Sequence, residues 1–204
     1  MVTRVKQYAF WGALSVALLL AVFTPPPNNN QPINDSSDYH MSGIGQQVDD
    51  TKQHRKFSDI IEFLPINVIS QASSRALEEI KCMAYNNFYE AGNQGYTGML
   101  AVSQVTVNRM GADGFPSSAC GVVHHKTGKM CQFSWVCQRK LPKLDYSSDE
   151  WKSAVEAAAK AYYGDDNIPA LKNALFYHAV YVKPGWKKYK KLKKIGDHVF
   201  YWLV

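Results

Sequence analysis

The chain has 204 residues, 46% of them hydrophobic and 13% aromatic, which suffices for one domain with a real core plus an appendage. Its formal charge of +6 is not spread along the chain. Residues 183–194, KPGWKKYKKLKK, hold seven lysines and no acid, so the remainder stands near −1. That excludes a generally basic protein and leaves one local patch suited to an anionic polymer or a membrane surface.

In chain order, residues 8–23 (YAFWGALSVALLLAVF) carry no charge, follow Arg4 and Lys6, and end at TPPPNNN. Sixteen helical residues span roughly 24 Å, short of a hydrocarbon core of about 30 Å, so length admits a signal segment or a short anchor. The exit, Ala21-Val22-Phe23-Thr24 followed by Pro25, Pro26 and Pro27, is a poor cleavage site, which favours an uncleaved anchor in the cytoplasmic membrane. Arg4 and Lys6 before the segment, and Asp35 and Asp38 after it, put the body of the chain outside, in the periplasm or cell envelope. An exported domain has little occasion to meet nucleic acid, so none is expected as a partner. Residues 25–56, rich in Pro, Asn, Gln, Ser and Asp without an apolar period, read as a flexible polar tether. The division is thus 1–24 anchor or signal, 25–56 tether, 57–204 folded domain.

Residues 57–72 are apolar enough to dock on that domain but are divided by Pro65. A helix begins at Ser73 or Ser74, with Leu77, Ile80, Ala84 and Phe88 at three- and four-residue spacing and Gly92 as a stop. Residues 97–110 (TGMLAVSQVTVNRM) are ambiguous: the valines suit a strand, the spacing of Met99, Val102 and Val105 a buried helix. The spacing predicts a helix over 149–163, capped by Ser148 and ended by Gly164. ALFYHAVYV and IGDHVFYWLV alternate as strands and can pair across the lysine segment.

Cys82, Cys120, Cys131 and Cys137 are an even number in an oxidising compartment, so disulfides are expected, with three connectivities open. His124 and His125 fall between two of them, but C-x10-C-x5-C matches no common zinc pattern, and neither metal nor cofactor is expected. Glu90 falls in the last turn of the helix over 73–91. A carboxylate there meets the unfavourable end of the helix dipole, and burial beside Phe88 and Tyr89 would further disfavour its ionised form. A carboxyl protonated near neutrality is what a general acid in glycoside cleavage requires; an exposed helix-end Glu with no role is the plain alternative.

Five ordered segments carry a resemblance: CMAYNNFYEAGNQGYTGMLAVSQVTVNRM, FPSSACGVVHHK, CQFSWVCQ, ALFYHAVYVKPGW and IGDHVFY. Over about residues 78–201 they resemble the SleB/CwlJ-type cell wall hydrolases. The resemblance implies an α+β, mainly α, lysozyme-like fold akin to lytic transglycosylases, with a small β-hairpin near the C-terminus. It turns 97–110 into a buried helix, makes peptidoglycan glycan strands the substrate, and makes Glu90 the catalytic acid. It also implies that Gln132, Phe133 and Ser134 face Glu90 across a groove whose wall is completed by Tyr177, His178, His198 and Tyr201. Two departures stand out. The family often has Arg-Gly-Glu where this chain has Gly92-Asn93-Gln94, and often Asn where this chain has Asp197, a residue able to orient His198.

Glycosidases normally use two carboxylates, and the matched segments offer one, which favours transglycosylation over muramidase-type hydrolysis. Asp113, Asp145 and Asp197 remain candidates to approach Glu90 in the fold. The rival classes are a zinc-dependent amidase, needing His178, His198 and a third ligand on a metal, and a non-catalytic wall-binding module that uses the lysine patch of residues 183–194.

Overall fold

The computed structural model describes residues 57–186 and 188–203; the apolar segment 8–23 and the tether 25–56 lie outside the described residues. Among the described residues no helix is long and apolar enough to cross a membrane. The elements are α1 (Ser58–Ile61), α2 (Ile66–Gln71), α3 (Ser74–Ala91), α4 (Gly95–Met110), α5 (Ala119–Val123), α6 (Asp149–Tyr163), and strands β1 (Lys126–Thr127), β2 (Met130–Cys131), β3 (Phe176–Ala179), β4 (Tyr189–Ile195) and β5 (His198–Leu203). Short 3-10 turns cover Ser134–Cys137 and Pro169–Leu171. The class is α+β and helix-rich, with two small sheets.

Helices α3, α4 and α6 pack on one another around Leu77, Ile80, Met83, Met99, Val102, Trp151 and Val155. Ala154, Ala157 and Ala158 on α6 are wholly buried, and their small side chains let the helices approach closely. At that approach Asn87 donates to Ser103 Oγ (2.7 Å) and to the Ala154 carbonyl (3.0 Å), while Ser103 Oγ donates back to Asn87 Oδ1 (2.9 Å). A buried amide satisfied from both neighbours fixes the register of three helices at once. The expected caps are present: Ser73 accepts from Ala76 N, Ser148 accepts from Trp151 N, and Gly164 is left-handed at φ +77°. Residues 97–110 are helical, within a helix buried on nearly every side. That all-round burial is why they show no clear polar face.

Before α3, Phe57, Ile60 and Val68 are buried against this core, and Pro65 starts α2. Cys82–Cys120 ties α3 to α5, and Cys131–Cys137 closes the loop carrying residues 132–136. Closing 38 residues by the first bond stabilises the fold by roughly 3–4 kcal/mol in chain-entropy terms. The buried carboxylate of Glu79 reinforces the same junction by accepting from Cys120 N (2.7 Å).

The C-terminal sheet is antiparallel in the order β3-β5-β4. The paired runs expected from the sequence are β3 and β5, but the lysine segment does not merely connect them. Its residues 189–195 form the edge strand β4, so the expected hairpin is a three-stranded sheet. Phe200 of the central strand is wholly buried against Ala101 and Val105 of α4, which seats the sheet on the helices.

Candidate active site

The C-terminal turn of α3 presents Glu90, whose side chain is partly exposed at the surface yet set in dense surroundings. Tyr177 of β3 donates its hydroxyl to Glu90 Oε2 at 3.2 Å. Loss of hydration pushes the Glu90 carboxyl up to about 7, although the Tyr177 hydrogen bond and the Arg109 guanidinium both pull it down. Asp113 is exposed, Asp145 is held by Ser147 in an exposed loop, and Asp197 Oδ2 accepts from Gln94.

Arg109 is the charged neighbour that the sequence reading did not single out. It is 5% exposed in the last turn of α4, with its guanidinium 5.1 Å from the Phe115 ring, 5.4 Å from Phe133 and 5.8 Å from Phe176. Burial lowers its pKa to about 10, which leaves it charged at neutral pH. Its Nε donates to the Leu175 carbonyl (2.8 Å), and the preceding Asn108 donates to the carbonyls of Leu171 and Ala174 (both 2.9 Å). The Asn-Arg pair thus clamps the segment leading into β3 and delivers Tyr177 to Glu90. His198 is buried behind the Tyr177 ring (centroids 5.1 Å apart), and burial depresses its pKa to about 4, so it is neutral at working pH.

Strand alternation divides the expected groove wall. Tyr177, His198 and Phe200 lie on the side of the sheet facing the helices, whereas His178 and Tyr201 lie on the other, with His178 Nε2 at 2.9 Å from the Tyr201 hydroxyl. The resemblance expects all four on one groove wall; His178 and Tyr201 instead lie on the opposite face of the sheet from Tyr177 and His198. The period of two was legible in the sequence and sets Tyr177 and His178 on opposite faces. The same alternation separates the two histidines that a shared metal would need, and the described residues contain no group of three or more such ligands. On the opposing loop Gln132 is exposed, Ser134 is intermediate, and Phe133 is buried against Val122, Val123 and the Arg109 guanidinium, so its ring packs the loop instead of facing a sugar.

The side chain reaching toward the site from that loop is Trp135. It stacks on Tyr89 (centroids 4.9 Å, planes 27° apart) and donates Nε1 to Asn86 Oδ1 (2.9 Å). Tyr89 and Trp135, with Glu78, Lys81, Tyr85 and His124, line a groove of about 350 Å³ along α3. From Glu78 to Tyr89 the helix rises about 16 Å, so the groove follows α3 for several sugar lengths and ends at the residue before Glu90.

The two departures from the family pattern meet in space. Gln94 Oε1 accepts from Asp197 N (2.7 Å), and Nε2 donates to Asp197 Oδ2 (3.2 Å). Gly196, at φ +53°, has no room for a Cβ against the Gln94 amide. One amide and one carboxyl are kept across this contact with their places exchanged. The turn after Glu90 stays bound to the β4–β5 turn, and Asp197 is engaged there.

No curated protein matches the chain. Two solved structures resemble it, each with a TM-score of 0.47 and 24% identity over 68% of this chain. They are the catalytic domain of the germination-specific lytic transglycosylase SleB from Bacillus anthracis (99% of that chain) and the catalytic domain of the Bacillus cereus SleB protein (95%). The family model described as cell wall hydrolase matches residues 93–201, beginning just after Glu90 and taking in Gln94, Asn108, Arg109, Tyr177 and His198. That match covers more than half of the 204 residues, and the chain belongs to the cell wall hydrolase family.

Proposed function

We propose that this peptidoglycan-degrading enzyme cleaves the bond between N-acetylmuramic acid and N-acetylglucosamine as a lytic transglycosylase, with Glu90 as the one catalytic carboxyl. The observation that carries this is a carboxyl that loss of hydration raises to about 7, with the Tyr177 hydroxyl and the Arg109 charge placed to stabilise the carboxylate it leaves behind. In the first step Glu90 gives its proton to the glycosidic oxygen as the C1–O bond breaks. The new carboxylate is stabilised by the Tyr177 hydroxyl and the Arg109 charge. In the second step it takes the proton of the muramoyl 6-hydroxyl while that oxygen bonds to C1, closing a 1,6-anhydro ring and consuming no water. A pKa near neutrality lets one group serve both steps. The groove beside Tyr89 and Trp135 offers ring faces on which pyranose rings can stack.

Mass spectrometry of digested sacculi tests this reading: the expected muropeptides end in 1,6-anhydromuramic acid and are one water lighter than hydrolysis products. Reducing muramoyl ends would establish a hydrolase, and free peptide stems an amidase. The same reading keeps residues 8–23 as an anchor in the cytoplasmic membrane, so removing residues 1–24 should move the enzyme out of the membrane fraction; unchanged partition would refute the anchor.

A further inference from the structure

The outer face of the β3-β5-β4 sheet has no part in the chemistry at Glu90. It carries His178, Tyr201 and Tyr189, gathered around Trp186, with Phe176 at its inner margin, where that ring also reaches Arg109. The Trp186 ring lies 4.8 Å from Tyr189, 5.5 Å from Tyr201 and 5.6 Å from His178, and it remains 37% exposed. Lys191 stands opposite Tyr201 in the ladder and Lys194 opposite Val199, so both lysines share this face with the rings. Lys183, Lys188, Lys190 and Lys193 are exposed on the same strand or just before it. Among the described residues none of these six lysines takes part in an ion pair. Lysines on an edge strand also discourage sheet-to-sheet pairing, but that role calls for no aromatic platform beside them.

We propose that this face is a second glycan-binding surface, separate from the groove at Glu90, which holds the enzyme on the anionic wall polymer through its aromatic platform and lysines. The occupant rests on the peptidoglycan reading of the family: its pyranose faces offer C–H surface to aromatic rings, and the carboxylates of its peptide stems offer charge to Lys191 and Lys194. The observations favour a glycan over a lipid surface. Trp186 packs edge-on against His178 and Tyr201, which stack on each other and share a hydrogen bond (2.9 Å), so beside the exposed Leu203 the cluster offers ring faces together with polar edges. An enzyme acting on an insoluble polymer gains from a second contact by raising its local concentration at the glycan.

The test uses the full chain carrying Glu90→Gln, so that the polymer is not digested, with and without Lys191→Gln/Lys194→Gln and with Trp186→Ala. Each exposed charge contact contributes up to ~1 kcal/mol, so the double lysine change should weaken co-sedimentation with purified sacculi about tenfold and flatten its salt dependence. Trp186→Ala should weaken it at all salt concentrations. In the Glu90 background the same changes should leave turnover of short soluble muropeptide chains unaltered, whatever bond is cut. Undiminished sacculus binding would overturn the proposal. Two other results would do so as well: loss confined to the excess binding to phosphatidylglycerol over phosphatidylcholine vesicles, which would mark a membrane face, or an equal fall in soluble turnover, which would make the face part of the catalytic groove.

Discussion

Glu90→Gln is expected to abolish wall lysis while stabilising the folded protein at neutral and alkaline pH. Removing a general acid typically costs 10²- to 10⁴-fold in rate, and here the same group serves both steps, so the upper end of that range is expected. The stability effect follows from linkage. The Glu90 carboxyl moves from an ordinary 4.5 to about 7 on folding, so its contribution to stability is fully present below pH 4.5 and is lost as pH rises through 7. Glutamine has no proton to lose. The variant should therefore match the parent near pH 4 and exceed it by up to roughly 3 kcal/mol at pH 8, measured by urea unfolding at the two values. Lysis by the parent should decline above about pH 7 as the acid form disappears. Retained lysis in the variant would sink the assignment; a stability difference independent of pH would sink the account of the raised carboxyl.

That awkward carboxyl was legible from residues alone: Glu90 could be placed in a helix's last turn among aromatics, and the direction of its shift followed from the dipole and burial. The capped helices α3 and α6 were legible for a related reason, since Ser73, Ser148 and Gly164 act locally. What the sequence concealed depends on distant partners. Arg109 looks like an ordinary helix-terminal cation until three phenylalanines from separate segments enclose it. Trp135 stands in a compact cysteine-framed loop, and its stacking on Tyr89 depends on how Cys131–Cys137 sets that loop. The lysines of β4 resemble a solvated connector because an edge strand needs only backbone partners on one side. His178 and Tyr201 are a different case: the resemblance grouped them with Tyr177 and His198, while strand alternation, readable in the same residues, sends them to the opposite face.

The remaining large effect is expected at Arg109. Its guanidinium joins two roles that are ordinarily separate: it fixes the start of β3 through the Leu175 carbonyl, and it favours the ionised form of Glu90. Arg109→Met keeps much of the apolar volume among the phenylalanine rings but removes both. With the Leu175 carbonyl left without its partner, a stability loss of about 1–3 kcal/mol is expected. Without the positive charge, the Glu90 carboxyl should rise further, shifting the alkaline limb of the pH–lysis profile upward and slowing lysis at neutral pH, because the carboxylate formed in the first step is less stabilised. Arg109→Lys separates the roles. Its ammonium restores the charge but cannot reproduce the guanidinium's planar hydrogen-bonding fork, so the limb should return toward the parent's position while much of the stability loss remains. A folded Met variant whose limb does not move would leave Arg109 as a packing and clamping residue only. A limb that moves in the Met variant and returns in the Lys variant would show that charge on α4 sets the acidity of Glu90.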